Sequence, residues 1–227
     1  KEKETFGMSK VEKQPFSKTM TEIKNVFLDT FLTKNIVLVQ AIGITPILAA
    51  GVTLQKGVVL TLCTAAVLLP ASLFMSLFGD KLPTWVRAPI YSVGAALILL
   101  GAAVLLDRSV SNELYASLYV FLPLTAVNTL VSYRAGGFSV SHVPVVALTD
   151  AIASSLGFGL VICVVSALRE MASFGTLWGE TLNFAIVLPE AALPYAAFLL
   201  LGFMAAFLQW IQSVIARREN ASVRLNG

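Results

Sequence analysis

The stretch FLPLTAVNTLVSYRAGGF, residues 121–138, decides the fold of this chain. It is apolar enough to enter a membrane, but it is poorly suited to an unbroken helix. Pro123 cannot donate a backbone hydrogen bond, Asn128 and Thr129 bring polar groups to bilayer depth, and two glycines follow the charged Arg134. Irregular backbone is tolerated at that depth only inside protein or beside a water-filled cavity. The stretch therefore predicts a broken membrane helix at a functional site.

The first half of the chain contains a matching stretch, VQAIGITPILAAG, residues 39–51. Gly43, Thr45 and Pro46 interrupt it in the same manner, and the glycine and proline are best explained by backbone geometry and close approach. Two interrupted spans at corresponding positions of two halves are a sequence signal for a site at the interface between inverted repeats. We therefore expect the two breaks to meet near the middle of the membrane.

The composition indicates an integral membrane protein. Of 227 residues, 57% are hydrophobic and 13% are charged, whereas a soluble domain carries roughly 25% charged residues. Buried helices of a large soluble bundle are the alternative, but such helices normally keep one charged face. Uncharged runs close to or above the ~20 residues of a spanning helix are Asn35–Gln55, Gly57–Phe78, Ala88–Leu106, Leu114–Tyr133, Ala151–Leu168 and Ala191–Ala216.

The charge distribution predicts the topology. Residues 1–34 form a basic lead-in without a recognisable signal peptide, and residues 16–31 have the periodicity of an amphipathic helix on the membrane surface. Six spans over residues 35–216 place both termini on one side, and the lysine and arginine distribution makes that side the cytoplasm, with residues 217–227 as the second tail. The basic excess indicates lipid headgroups as partners and gives no sign of nucleic-acid binding.

Five segments resemble one known family: LVQAIGITPILA, LPTWVRAPIY, LYASLYVFLPLTAVNTLVSYRAGGF, ALTDAIASSLGFGLVICVVSALREMASFGTLWG and LPEAALPYAAFLLLGF. They are similar to the integral membrane subunits of the Rnf and Na+-NQR complexes, in the branch of the Rnf E subunit and the Na+-NQR D subunit. The resemblance covers residues 35–207. It implies an all-α protein of six transmembrane helices, in two three-helix inverted repeats at about 35–106 and 114–216, with broken helices 1 and 4.

The resemblance also implies a cellular role in the bacterial inner membrane. Members pair with a homologous sister subunit of opposite orientation, similar to the Rnf A subunit or the Na+-NQR E subunit, and with the other subunits of the complex. The two sisters share a [2Fe–2S] cluster, and electron transfer is coupled to Na+ or H+ movement. The chain would be a non-catalytic or electron-transferring subunit of a redox-driven ion translocase.

This sequence departs from the family at the cluster. The ligand cysteines would fall on Thr45 and Thr129. Thiolate is the ligand that suits an iron–sulfur cluster, and a threonine hydroxyl stays protonated at neutral pH and lacks the softness of sulfur. Cys63 and Cys163 lie in other spans, where two buried small side chains are the simplest interpretation. The sequence therefore predicts the family fold without its own iron–sulfur ligands.

The candidates for lining an ion path or site are Gly43, Pro46, Asn128, Arg134, Asp150 and Glu170, and Thr45 and Thr129 occupy the cluster positions. Several of these residues have two interpretations. Thr45 and Thr129 either line the former cluster site or an ion path, or they bond a carbonyl one turn back in a bent helix. Asn128 either coordinates an ion or satisfies the frayed backbone. Arg134 either contacts a partner subunit or an anionic group, or it extends to the lipid headgroups.

The charged residues of the fifth span are further candidates for a functional site. Asp150 and the Arg169–Glu170 pair lie at its opposite ends, and charges near the bilayer are usually functional or paired. Asp150 could help to carry Na+ or H+, but an interfacial helix cap would explain it as well. His142 is interpreted as a solvated loop residue.

Three functions follow from these features. The first is a membrane subunit of an Rnf- or Nqr-like complex that supplies scaffold and ion pathway. The second is a cluster-free transporter of ions or small solutes that reuses the inverted repeat. The third is a structural partner of another membrane protein.

Overall fold

The computed structural model describes residues 27, 30, 35–109, 111–119, 121–181 and 187–225. The surface helix expected over residues 16–31 therefore lies outside the described residues, apart from Phe27 and Thr30. The described chain is almost entirely helical. Its elements are α1 Ile36–Gln40, α2 Ile44–Ala49, α3 Leu54–Phe78, α4 Thr84–Ser109, α5 Asn112–Leu118, α6 Leu122–Ala126, α7 Thr129–Tyr133, a π-helix Arg134–Phe138, α8 Ser139–Ser141, α9 Pro144–Phe174, β1 Thr176–Leu177, β2 Glu180–Thr181 and α10 Pro194–Leu225.

The first interrupted segment breaks between α1 and α2. Ala41 (φ 54°) and Gly43 (φ 81°) have left-handed backbone conformations, so a right-handed helix cannot continue through them. Pro46 does not make this break. It is the third residue of α2, where its missing N–H would have no helical partner. Asn35 caps α1 by accepting from the Val37 amide at 3.1 Å.

The second interrupted segment runs from α5 to α8. The helices Asn112–Leu118 and Leu122–Ser141 meet at 56°. A second break lies close to the midpoint of this segment, where Asn128 is extended (φ −60°, ψ 133°) between α6 and α7. The Oδ1 atom of Asn128 accepts a hydrogen bond from the Leu130 amide at 3.1 Å and so starts α7.

Four helices in the described part of the chain are long and apolar enough to cross a membrane, namely Leu54–Lys81, Thr84–Arg108, Pro144–Phe174 and Pro194–Val214. The bent pair Asn112–Leu118 and Leu122–Ser141 brings the number to five if it forms one span. An all-α membrane protein is therefore confirmed. The remaining expected span, Asn35–Gln55, contains the short helices α1 and α2. The count of six spans stays a prediction.

Helices α3 and α9 form the centre of the protein. Their backbones approach so closely that a Cβ atom on Gly159 would lie 2.5 Å from Thr61 Cγ2, and one on Gly57 would lie 2.9 Å from Ser166 Oγ. Small residues permit such crossings in membrane proteins. In contrast, helices α4 and α10 are little buried. Of the 18 most apolar consecutive residues in each helix, 17% are buried in α4 and 11% in α10, compared with 61% in α9. Helices α4 and α10 thus present their apolar surfaces outward.

A short β-hairpin follows α9, which the sequence did not predict. Thr176 pairs with Thr181 and Leu177 with Glu180. Trp178 (φ 60°) and Gly179 (φ 85°) form its two-residue turn, as in the tight turns that match the twist of paired strands. A 3₁₀ turn, Pro189–Ala192, then leads into α10.

Candidate functional site

The two breaks meet in space. The Gly43 amide donates a hydrogen bond to Thr129 Oγ1 at 2.9 Å. A Cβ atom on Gly43 would lie 3.1 Å from Leu130 Cβ and 3.4 Å from Asn128 Oδ1. Gly43 thus supplies both the left-handed turn and the room for the second break to pack against it. We call this meeting point, Gly43 with Asn128 and Thr129, the junction.

The two threonines at the cluster positions lie on short helices that begin at the junction. Thr45 is the second residue of α2 and Thr129 is the first residue of α7. Both are exposed. Among the described residues, Thr129 makes no bond to a carbonyl one turn back. Its hydroxyl oxygen instead joins the two halves of the chain.

Asn128 contributes a polar group that its cap does not use. Its side chain is 5% exposed. The amide nitrogen Nδ2 has no hydrogen-bond partner in the described part of the chain, whereas Oδ1 caps α7. Bonding to the frayed backbone therefore explains the Asn128 side-chain oxygen but not its amide nitrogen. Nδ2 can still donate to a ligand or to water.

Arg134 and Asp150 form a buried ion pair. Arg134 Nη1 lies 2.8 Å from Asp150 Oδ1, and Thr30 Oγ1 donates to the same oxygen at 3.1 Å. The Arg134 guanidinium carbon lies 5.6 Å from the centre of the Phe138 ring, a cation–π distance. Arg134 is thus held inside the protein beside an anionic group. This agrees with the first of its two interpretations and argues against extension to the headgroups.

Asp150 is not a helix cap. It is the seventh residue of α9, which starts at Pro144, and it is fully buried. Its Oδ2 atom and the Nε atom of Arg134 have no hydrogen-bond partner among the described residues. A π-helix begins at Arg134, and such insertions in helices are frequent at functional sites.

His142 also differs from the expectation of a solvated loop residue. Its ring stacks on Phe138 with centroids 3.9 Å apart, and Nδ1 lies 2.8 Å from the Phe138 carbonyl oxygen. Ser76 Oγ on α3 donates to the His142 carbonyl at 2.9 Å. The loop before α9 is therefore packed against the end of α3.

Arg169 and Glu170 lie at the other end of α9. Arg169 is 1% exposed. Its Nη1 atom donates to the carbonyl oxygens of Ile47, Leu48 and Gly51 at 3.2, 3.4 and 2.8 Å. Its Nε and Nη2 atoms donate to the carbonyls at positions 191 and 192 at 3.2 and 2.5 Å. One guanidinium therefore joins the end of α2 to the 3₁₀ turn before α10.

Glu170 contacts different partners. Its Oε2 atom accepts from the Leu54 amide at 2.7 Å, and Oε1 accepts from Gly179 N at 3.0 Å and from Thr176 Oγ1 at 3.2 Å. The adjacent arginine and glutamate thus hold the two sides of the turn between α2 and α3. Sequence reasoning missed this arrangement, and the adjacent charges at the end of an apolar span were the only signal for it.

The junction does not fit an iron–sulfur cluster. It offers hydroxyl and amide groups, and cluster iron requires thiolate. In the described ranges, no three His, Cys, Asp or Glu side chains come together as a metal site. Cys63 and Cys163 are both free, and they lie on α3 and α9, outside the two interrupted segments. No step of a mechanism is therefore assigned to a cluster held by this chain.

The fold and the junction define a class, namely all-α membrane proteins in which two interrupted segments meet. Comparison with known proteins then identifies the family. Residues 23–205 match the family described as "Rnf-Nqr subunit, membrane protein", and the chain belongs to this family.

Several relatives are named as the E subunit of an ion-translocating oxidoreductase complex. The relative from Edwardsiella ictaluri is 32% identical over 88% of this chain and 91% of its own length. The relative from Escherichia coli is 31% identical over 88% and 93%, and that from Shewanella piezotolerans is 30% identical over 88% and 93%. The similarity thus extends over nearly the whole of each protein.

Proposed function

We propose that this protein is a membrane subunit of an Rnf- or Nqr-like ion-translocating electron transport complex and that it lacks iron–sulfur ligands of its own. The observation that carries the proposal is the similarity to the E subunit of such complexes, which covers 88% of this chain. Its partners are a homologous sister subunit, similar to the Rnf A subunit, and the other subunits of the complex. It resides in the bacterial inner membrane with both termini in the cytoplasm.

In this role the chain supplies scaffold and part of an ion pathway. Charged groups inside a membrane protein are costly and are usually retained for function. Asp150 Oδ2 has no hydrogen-bond partner in the described part of the chain, and Ser154 lies one turn further along α9. Side-chain atoms that are buried and without a partner among the described residues are Ser72 Oγ, Thr125 Oγ1, Asn128 Nδ2, Arg134 Nε, Asp150 Oδ2, Ser154 Oγ, Ser155 Oγ and Ser166 Oγ. Oxygen atoms of this kind suit hard cations and water.

A second function is favoured by the junction itself. A cluster-free transporter would need a small polar site between the two interrupted segments. Thr45, Asn128 and Thr129 would line it beside Gly43, and Asn128 Nδ2 is buried and without a partner in the described part of the chain. Arg134, Asp150 and Glu170 are further candidates to line the path of the ion or solute.

The two functions differ in the proteins that should accompany this chain. The test is to purify the protein from native membranes through an affinity tag, identify the subunits that accompany it, and measure iron and visible absorbance. Co-purification with flavoprotein or iron–sulfur subunits of an electron transport complex supports the first function. Iron-free material without such companions overturns it and favours the transporter.

The proposed ion role of Asp150 has its own experiment. Asp150→Asn keeps the shape of the side chain and removes its charge. In membrane vesicles containing the assembled complex, we expect Na+ or H+ uptake per electron transferred to fall. Ser141→Ala, at an exposed position before α9, is the matched control. Unchanged uptake in Asp150→Asn would remove Asp150 from the pathway.

A further inference from the structure

The turn between α2 and α3 is held by two neighbouring side chains of α9. Helix α2 has six residues, and isolated helices shorter than roughly 12 residues are marginal on their own. Its position is therefore set by what it contacts. At its start, the Gly43 amide bonds to Thr129 Oγ1. At its end, Arg169 Nη1 donates three hydrogen bonds, to the carbonyls of Ile47, Leu48 and Gly51.

The chemistry of Arg169 suits this place. The last carbonyls of a helix have no helical partner and carry the negative end of its dipole. A guanidinium offers five N–H donors in a fixed planar fork, whereas a lysine ammonium is a point charge with three donors. Arg169 uses one edge of the fork on α2 and the other on the carbonyls of Ala191 and Ala192. The same group thus ties α2 to the turn that precedes α10.

The corresponding turn in the second half is held differently. There, Ser76 Oγ on α3 gives one hydrogen bond to the His142 carbonyl, and the buried Arg134–Asp150 pair anchors the segment that follows α7. Removal of Arg169 should therefore release α2 and leave α7 in place.

We propose that Arg169 is a positioning residue for the junction: it fixes α2, and hence Thr45, relative to Thr129, and it makes α2 and the turn Pro189–Ala192 move as one unit. Glu170 fixes the start of α3 on the other side of the same turn. The proposal deepens the proposed function, because it rests on that function for treating the junction as the working site. The geometry that it predicts can be measured without any activity.

The experiment measures the distance across the junction. Spin labels are placed on Thr45→Cys and on Val127→Cys, an exposed position beside the second break, so that Thr129 keeps its bond to the Gly43 amide. The labels are carried by the full chain, purified with its partners, after Cys63→Ala and Cys163→Ala remove the native thiols. A second labelled pair, Leu62→Cys with Leu160→Cys, reports on the α3–α9 centre from two exposed positions. Dipolar broadening of the continuous-wave spectrum, which suits the short separations across the junction and between α3 and α9, gives a distance distribution for each pair.

In the Arg169→Met variant we expect the 45–127 distribution to broaden and its mean to shift by about 1–2 Å or more, the scale of helix shifts in switching proteins. Arg169→Lys should give the same change at smaller size, because an ammonium cannot serve both groups of carbonyls. The 62–160 distribution should stay as in the parent. Arg87→Met, which removes a bond from Nε to the Leu82 carbonyl at the other end of the membrane domain, is the matched control.

An unchanged 45–127 distribution in both Arg169 variants would overturn the proposal. An equal change in the 62–160 pair would overturn it as well, since that would indicate general loosening of the fold. Where the methionine variant does not assemble, the lysine variant decides. The companion subunits and iron content test the proposed function separately, so either conclusion can fail while the other stands.

Discussion

Thr129 carries a bond that connects the two halves of the chain. Its hydroxyl oxygen accepts the Gly43 amide at 2.9 Å, at the position where the family resemblance places a cluster ligand. A hydroxyl can make this bond without any metal. At the scale of the residue, oxygen in place of sulfur therefore turns a ligand position into a structural contact.

This contact can be tested by Thr129→Val, which keeps the side-chain shape and removes the acceptor. Leaving a buried amide without its partner typically costs about 1–3 kcal/mol. Because Thr129 is exposed and water or a partner can replace part of the bond, we expect the lower end of that range. Thr129→Ser, which keeps the hydroxyl, is the control, and thermal unfolding in detergent is the measurement. Equal stability of the two variants would show that the bond contributes nothing.

Breaking the buried Arg134–Asp150 ion pair should destabilise the protein more than the loss of the Thr129 bond. Removing one member of a buried ion pair typically costs about 3–5 kcal/mol, because the remaining charge is left unpaired. Arg134→Met should therefore strongly reduce the stability of the assembled protein, measured as its unfolding temperature. The double variant Arg134→Met with Asp150→Asn should recover part of the loss, since no lone charge remains. A double variant whose loss equals the sum of the single losses would show that the two groups are not coupled.

At the scale of the element, the two breaks were predictable and their causes were not. Gly43 and Asn128 stand out as interruptions in the sequence, and both lie at breaks. Pro46, however, is accommodated inside the first turn of α2, and Ala41, which has no sequence signal, adopts a left-handed conformation. The π-helix Arg134–Phe138 was also not predicted.

The crossing of α3 and α9 depends on a glycine. In Gly159→Ala the new Cβ atom would lie 2.5 Å from Thr61 Cγ2, so the Thr61 side chain or one of the two central helices must shift. Overpacking of this kind typically costs about 1–3 kcal/mol. Gly101→Ala on α4 has nothing within 4 Å of the added atom, and alanine is favoured over glycine in a helix by up to ~1 kcal/mol.

We therefore expect the two alanine variants to differ in stability, with Gly159→Ala less stable than the parent and Gly101→Ala unchanged or more stable. Unfolding temperature in one detergent measures both. If Gly159→Ala were as stable as Gly101→Ala, the close approach of α3 and α9 would not be a determinant of the fold.

At the scale of the whole molecule, composition and hydropathy were enough to predict an all-α membrane protein, because they reflect the solvent in which the chain folds. The matched interruptions at Gly43 and Asn128 predicted where the halves would meet. The role of Arg169 could not be predicted, because its partners are backbone carbonyl groups of distant segments. Every residue carries such a group, so the sequence does not mark the ones that Arg169 binds. The pairing of Arg134 with Asp150 was not evident for a similar reason: each charge alone is compatible with a lipid-facing or capping role.

Cluster binding is a property of the whole assembly, and its test belongs at that scale. A shared cluster needs four thiolates, as iron–sulfur centres held by cysteine do, and cysteines at positions 45 and 129 would supply at most two of them. The double variant Thr45→Cys with Thr129→Cys should therefore bind no cluster when this chain is isolated. In the assembled complex it should favour a cluster only if a sister subunit presents two matching cysteines.

The measurement is iron and sulfide content with electron paramagnetic resonance of the reduced protein, made on the isolated chain and on the complex. Thr45→Ser with Thr129→Ser is the control, because it changes both side chains without adding thiolate. A stoichiometric cluster in the isolated double-cysteine chain would contradict the argument, since two ligands would then have sufficed. A cluster that forms only in the complex would place the other ligands in the sister, and would identify the two threonines as the reason that the natural chain provides no ligands of its own.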